Sequence, residues 1–134
     1  MRKGPSRMRS LHRGFLVPCA AVLLLSAAAV AKRNPPTVTP VISDGIRYSA
    51  EGDGKDQFVV ASEAATGHAL WEVKIFHTDI KKFWKEEDSQ WVFITNLKLA
   101  DKSLFVKDEK ARCYSVDLTT KRVKKQRCGN TFSP

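Results

Sequence analysis

Residues 61–76, ASEAATGHALWEVKIF, and residues 114–128, YSVDLTTKRVKKQRC, decide the fold. Each passes from apolar-alternating residues through a Thr-containing turn into a second strand-like run. Alternation of period two marks a strand with one buried face. A short polar turn between two such runs marks a β-hairpin. In register, Glu63-Ala64-Ala65-Thr66-Gly67-His68-Ala69-Leu70-Trp71 lies against Asp117-Leu118-Thr119-Thr120-Lys121-Arg122-Val123-Lys124-Lys125. An acid, a Thr three positions on, then a basic or His residue followed by an apolar one recur 54 residues apart.

Outward from these hairpins the chain is a series of short runs of β-formers. They are Ile46–Ala50, Gln57–Ser62, His68–Phe76, Trp91–Leu99, Ser103–Lys107, Arg112–Asp117 and Arg122–Cys128. Turn residues separate them at 52–56 (GDGKD), 64–67 (AATG), 100–102 (ADK) and 108–110 (DEK). Strands joined this tightly predict an all-β, antiparallel meander of about seven strands. In the third run Ala69, Trp71, Val73 and Ile75 share one side, with Glu72 and Lys74 opposite. In the fourth, Trp91, Phe93, Leu97 and Leu99 share one side and Val92 and Ile94 the other, which predicts a central strand covered on both faces. Trp71, Trp91 and Phe93 are core candidates before they are a ligand-stacking shelf. Only residues 77–90, HTDIKKFWKEEDSQ, break the pattern: Ile80, Phe83 and Trp84 fall at i, i+3 and i+4, predicting one short helix or helical turn lidding a sheet face.

Residues 63–71 resemble the acidic-x-x-Thr-Gly-Lys-apolar-apolar-Trp hairpin of pyrroloquinoline-quinone-type β-propeller repeats. The resemblance implies a Gly at positive φ and an acid and Thr that cap the turn through backbone hydrogen bonds. In the second copy Lys121 replaces the Gly and Lys125 the Trp. A positive φ at Lys121 would cost about 1 kcal/mol, so a different turn is expected there. A two-residue turn at Thr120–Lys121 would set Cys113 directly opposite Cys128. A closed propeller takes about four to eight blades of four strands; about seven short strands predict a blade-like sheet or a small barrel instead. The matching residues are turn motifs, so the resemblance is one of scaffold and implies no quinone cofactor.

The first 31 residues stand apart. Arg2, Lys3, Arg7, Arg9 and Arg13 form a basic lead, and GFLVPCAAVLLLSAAAVA follows without a charge. Ala29 and Ala31 supply the small-residue pattern of a signal peptidase site, which predicts a signal peptide over 1–31 cut after Ala31. An uncleaved membrane anchor is the alternative. Pro18 before Cys19 disfavours lipidation. Residues 32–44, KRNPPTVTPVISD, read as a Pro-rich tether, and 45–134 as one small domain. Cys113 and Cys128 then remain in a chain bound for an oxidising compartment, periplasmic or extracellular, and predict one disulfide. A metal or redox site lacks the C-x-x-C spacing.

The formal charge of the whole chain is +9. Without the leader, 18 basic residues face 14 acidic ones, unevenly: residues 32–97 carry −2 and residues 98–134 carry +6. Chemistry is sparsely signalled. His68 and His77 sit in no nucleophile–base or metalloprotease pattern, and no Gly-rich phosphate loop occurs. No cofactor and no enzymatic activity are expected. Glu86, Glu87 and Asp88 with Asp79 and His77 would suit a divalent cation, against the plainer expectation of a solvated acidic turn beside Lys81, Lys82 and Lys85. The basic run Lys121, Arg122, Lys124, Lys125 and Arg127 is the candidate anion-binding site, for an anionic polymer or lipid headgroup. Its lack of interleaved aromatics disfavours nucleic acid, and a terminal edge strand carrying Lys and Arg to block association is the competing explanation. The function expected first is a non-enzymatic interaction module of the cell envelope. Its partner is an envelope protein, reached by edge-strand addition, or an anionic polymer. A membrane enters only if the leader stays uncut.

Overall fold

The structure, a computed structural model, describes Gly4, residues 32–83 and residues 85–133. Apart from Gly4, the segment expected to be a signal peptide cut after Ala31 lies outside the described residues, as does Trp84. The chain is all-β, as its alternation predicts. Its strands are β1 (Val41–Ser43), β2 (Ile46–Gly52), β3 (Asp56–Glu63), β4 (Ala69–His77), β5 (Ile94–Ala100), β6 (Ser103–Asp108), β7 (Cys113–Asp117) and β8 (Val123–Gln126). They form two four-stranded antiparallel meanders, β1-β2-β3-β4 and β5-β6-β7-β8. One continuous sheet or a small barrel is therefore replaced by two sheets, and seven strands by eight.

The extra strand comes from the stretch expected to be a tether. Val41 pairs with Tyr48 and Ser43 with Ile46 around the two-residue turn Asp44-Gly45, whose φ angles are 51° and 74°. Two positive φ values are what an Asp-Gly hairpin turn supplies. The expected helix over 77–90 is also corrected: among the described residues that connection holds only a 3-10 turn at Asp88–Gln90, and Phe83 is 96% exposed. Gln90 explains the loop. Its side-chain Oε1 accepts from Lys81 N–H at 2.8 Å and its Nε2 donates to the Lys81 carbonyl at 3.0 Å, closing residues 81–90 on themselves.

Both sheets contribute to one apolar layer. Tyr48, Val59, Ala61 and Ile75 from the first sheet meet Ile94, Leu104, Val106, Tyr114 and Val116 from the second. Trp71, Val73, Leu97 and Leu99 pack against this cluster. Phe76 and Tyr114 stack across it with ring centroids 5.3 Å apart. Burying most of these side chains contributes about 1.5–3 kcal/mol each before conformational entropy is subtracted. Counting back from the turn acids reveals how the sheets sit. The first buries the second and fourth residues before Glu63 (Ala61, Val59), the second the first and third before Asp117 (Val116, Tyr114). Equivalent strands thus turn opposite faces to the shared core, and the sheets stack face to back.

The fourth run needs two corrections. β5 is an edge strand of its sheet, and Trp91–Phe93 precede it in non-repetitive backbone. A bulge at Thr95 shifts the register between Ile94 and Asn96, so Ile94 joins Leu97 and Leu99 on the core side instead of opposing them. Trp91–Phe93 instead stitch the sheets together. Val92 N–H donates to the Gly54 carbonyl at 2.9 Å, and the Phe93 carbonyl accepts from Glu109 N–H at 3.0 Å. Beside them the buried Gln57 amide accepts through Oε1 from Ile94 N–H at 3.1 Å. Trp91 also packs on Gly54, where φ is 92° and an added Cβ would lie 2.4 Å from the indole. Gly54→Ala should therefore lower stability by about 2–3 kcal/mol, from φ strain and overpacking together, and a thermal melt with a folded control at Gly129 checks this.

Candidate functional site

The two hairpins of the opening stretches occupy the same place, between the third and fourth strands of their sheets. Their backbone bonds match. Glu63 N–H donates to the His68 carbonyl at 2.8 Å and Gly67 N–H to the Glu63 carbonyl at 2.8 Å. Asp117 N–H donates to the Arg122 carbonyl at 2.9 Å and Lys121 N–H to the Asp117 carbonyl at 2.7 Å. Even the flanking contact recurs, with Ala64 N–H donating to the Gly45 carbonyl and Leu118 N–H to the Lys102 carbonyl. Gly67 has φ 75° and Lys121 φ 61°. The different turn expected at Lys121 is therefore corrected: the non-Gly residue accepts the left-handed conformation. Its ammonium compensates by lying over the Trp71 ring, 4.6 Å from the centroid, and by donating to the Leu118 carbonyl.

That turn sets the register of β8. Cys113 pairs with Gln126, not with Cys128, so the expected direct opposition is off by two residues. The disulfide forms nonetheless, with Cα atoms 5.1 Å apart, because the chain bends back after Gln126. Cys113 is fully buried yet stands outside the central cluster. Cys128 covers it, and farther on Lys98 of β5 donates to the Thr131 carbonyl at 2.7 Å. Residues 127–133 therefore cross the outer face of the second sheet as a strap, from β8 to β5. The disulfide holds this strap.

The basic run does not make one surface. Strand alternation puts Arg122 and Lys124 on the outer face with Ser115, where they line a shallow recess of about 280 Å³ that also contains Asp117. Lys125 faces the other way, opposite Tyr114, Lys121 is committed to Trp71, and Arg127 is exposed beyond the strand. The aromatic residues do not form a shelf either. Trp71 is half-buried against the core, Phe93 is buried, and Trp91 is half-buried on Gly54.

The acidic connection separates from His77. Glu87 pairs with Lys55, while His77 lies between Asp56, at 2.9 Å from Nδ1, and Asp79, at 3.4 Å from Nε2. Among the described residues no three His, Cys, Asp or Glu side chains are grouped to hold a metal ion. His68 is exposed in its turn, its N–H donating to Thr66 Oγ1. Among the described residues one charged group is buried: Asp108 accepts from Lys110 N–H, Arg112 N–H and, at 2.6 Å, Arg112 Nε. The Arg112 guanidinium lies 5.2 Å from the centroid of Phe76. The Arg112–Phe76 contact ties the β6–β7 turn to the first sheet, and the ion pair holds that turn together; alternation alone places Asp108 inward without naming its partner.

Several turn carboxylates sit below the ordinary Asp range. Asp56 is held down first by the hydrogen bond from Lys74 and then by His77, and Asp117 by the N–H groups of Thr120 and Thr119. No protein-family model matches the chain, and no curated protein shows significant similarity to it.

Two outcomes follow from this geometry. Carboxylates depressed on folding contribute stability above their unfolded pKa, about 4, and lose it as pH falls through the folded value. Unfolding free energy should therefore fall below about pH 4, and Asp56→Asn should flatten that acid limb in denaturant melts taken across pH. Replacing both cysteines by Ser should cost about 3 kcal/mol by the chain-entropy estimate. Hydrogen exchange should then speed first at β7 and β8, under and beside the strap.

Proposed function

We propose that the chain is an exported, non-enzymatic interaction module of the cell envelope that receives an extended segment of a partner protein along the free edge of β4. One observation carries this. β4 is a nine-residue strand at the end of its sheet, paired among the described residues with β3 alone. Such an edge offers unpaired N–H and C=O groups that a second strand completes, with alternate side chains adding specificity. Bulges against β3 between Gln57 and Phe58 and between Ala61 and Ser62 flank Trp71–Lys74, the part of β4 in continuous register. Leu70, 45% exposed, stands at one end of that stretch. The other terminal edge is unlike it: β8 has four residues, two of them lysines, and runs into the strap.

The scaffold supports the same reading. Matched turns and face-to-back stacking are the relation between successive blades of a propeller, which fits the resemblance of residues 63–71 to quinoprotein-type repeats as a kinship of frame. The paired cysteines and the basic lead followed by an uncharged apolar run support export. In the exported protein a photo-crosslinking residue at Glu72 should give a defined protein adduct that persists as salt rises, whereas one at Lys124 should not. Intact mass should begin at Lys32. Adducts of equal yield at both positions, or none at either, would overturn the β4 assignment, and an uncut mass would overturn cleavage.

A further inference from the structure

A second set of cations is adjacent only in the fold. Arg33 from the N-terminal segment, Lys81 and Lys85 from the connection between the sheets, and Lys110 from the β6–β7 turn line one recess of about 530 Å³. Two carboxylates share the lining, Asp79 and Glu109. Glu109 is already taken: the Arg33 guanidinium donates to it at 2.5 Å and to the Trp91 carbonyl at 2.9 Å, and lies 5.6 Å from the Phe93 centroid. Asp79 is exposed and lies nearest His77. Among the described residues, none of the ion pairs within 4.0 Å involves Lys81, Lys85 or Lys110.

These lysines also stand on fixed backbone. The Gln90 amide clamps the loop by bonding both the N–H and the carbonyl of Lys81, and the Lys85 carbonyl at 3.3 Å. Lys110 follows Asp108, whose carboxylate accepts its N–H at 2.9 Å. Three ammonium groups around a concavity outnumber Asp79, the one carboxylate of the lining not committed to Arg33, and raise the local potential for anions. The volume suits a small ligand, not a polymer groove. The indole of Trp91 in the same lining adds an apolar wall, while the Ser89 hydroxyl already donates to the Glu86 carbonyl at 2.7 Å.

We infer that this recess binds a small oxyanion of two or more charges, phosphate- or carboxylate-bearing, through Lys81, Lys85 and Lys110. The site is independent of β4 and replaces the C-terminal run as the cationic centre. Charge-assisted hydrogen bonds from three ammonium groups supply the affinity, and salt screens it, since every donor is near solvent.

The test is a titration of the full mature, oxidised protein with inorganic pyrophosphate and, separately, citrate, followed by the Trp91 indole N–H resonance in a nitrogen–proton correlation spectrum. A saturable shift is expected, weakening as salt rises, with at least about a tenfold loss of affinity in a Lys81→Gln/Lys110→Gln variant. Unchanged spectral dispersion elsewhere verifies that this variant is folded. A Lys124→Gln/Lys125→Gln variant should bind as the parent does. Response to pyrophosphate alone assigns a phosphate ligand, and response to citrate alone a carboxylate. No saturable shift with either anion at low salt would overturn the site. So would a shift that survives loss of Lys81 and Lys110, or one that disappears with Lys124 and Lys125.

Discussion

The rest of the structure depends on one shared apolar layer, into which equivalent strands turn opposite faces. Neither sheet has a core of its own. Tyr48, Val59, Ala61 and Ile75 are covered by Ile94, Leu104, Val106, Tyr114 and Val116, and the converse holds. A four-stranded sheet left alone would expose that face and lose its main stabilisation. The polar stitches matter because the layer is non-directional. Gln57 to Ile94 N–H, and Trp91–Phe93 between Gly54 and Glu109, fix how far one sheet slides over the other. A buried amide without its partner costs more than the bond contributes when made, so these contacts penalise every other register.

Face-to-back stacking leaves the two outer faces unequal. The second sheet's outer face is crossed by the strap that Cys113–Cys128 and Lys98 hold down. Across the first sheet's outer face the register aligns Ser49, Val60 and Glu72, then Glu51, Phe58 and Lys74. The cysteine pair therefore does more than shorten the unfolded chain: it closes one end of the stack. Charge is redistributed by the same geometry. A run of five basic residues is split by strand alternation, and one of its members is spent on Trp71 to hold a left-handed turn. Four cations from three separate segments of the chain are meanwhile gathered around one recess.

Much of this was legible because it is local. Period-two alternation and turn chemistry place seven of the eight strands to within a few residues, and the acid–Thr pattern marks two equivalent hairpins. β1 was legible too, in the hairpin dipeptide Asp44-Gly45, but the three prolines around it, among them Pro40 just before the strand, mask the signal. The helical spacing of Ile80, Phe83 and Trp84 misleads for a physical reason. A spacing shows which residues would share a helical face, not that a face exists to cover them, and Gln90 satisfies the backbone of Lys81 in another way. The bulge at Thr95 likewise exchanges faces across it and brings Ile94 onto the side of Leu97 and Leu99, since one inserted residue exchanges the two sides of a strand.

The sequence by itself determines the all-β class, the hairpins, the cysteine pair and the charge asymmetry between the halves, because each depends on neighbours along the chain or on composition. Only the tertiary structure decides that the meander breaks into two sheets and that their opposite faces meet. It alone makes β4 a free edge and brings Arg33, Lys81, Lys85 and Lys110 to one place. Those features depend on contacts between residues remote in sequence, chosen by which apolar surfaces can cover each other, and no periodicity within a strand records that choice.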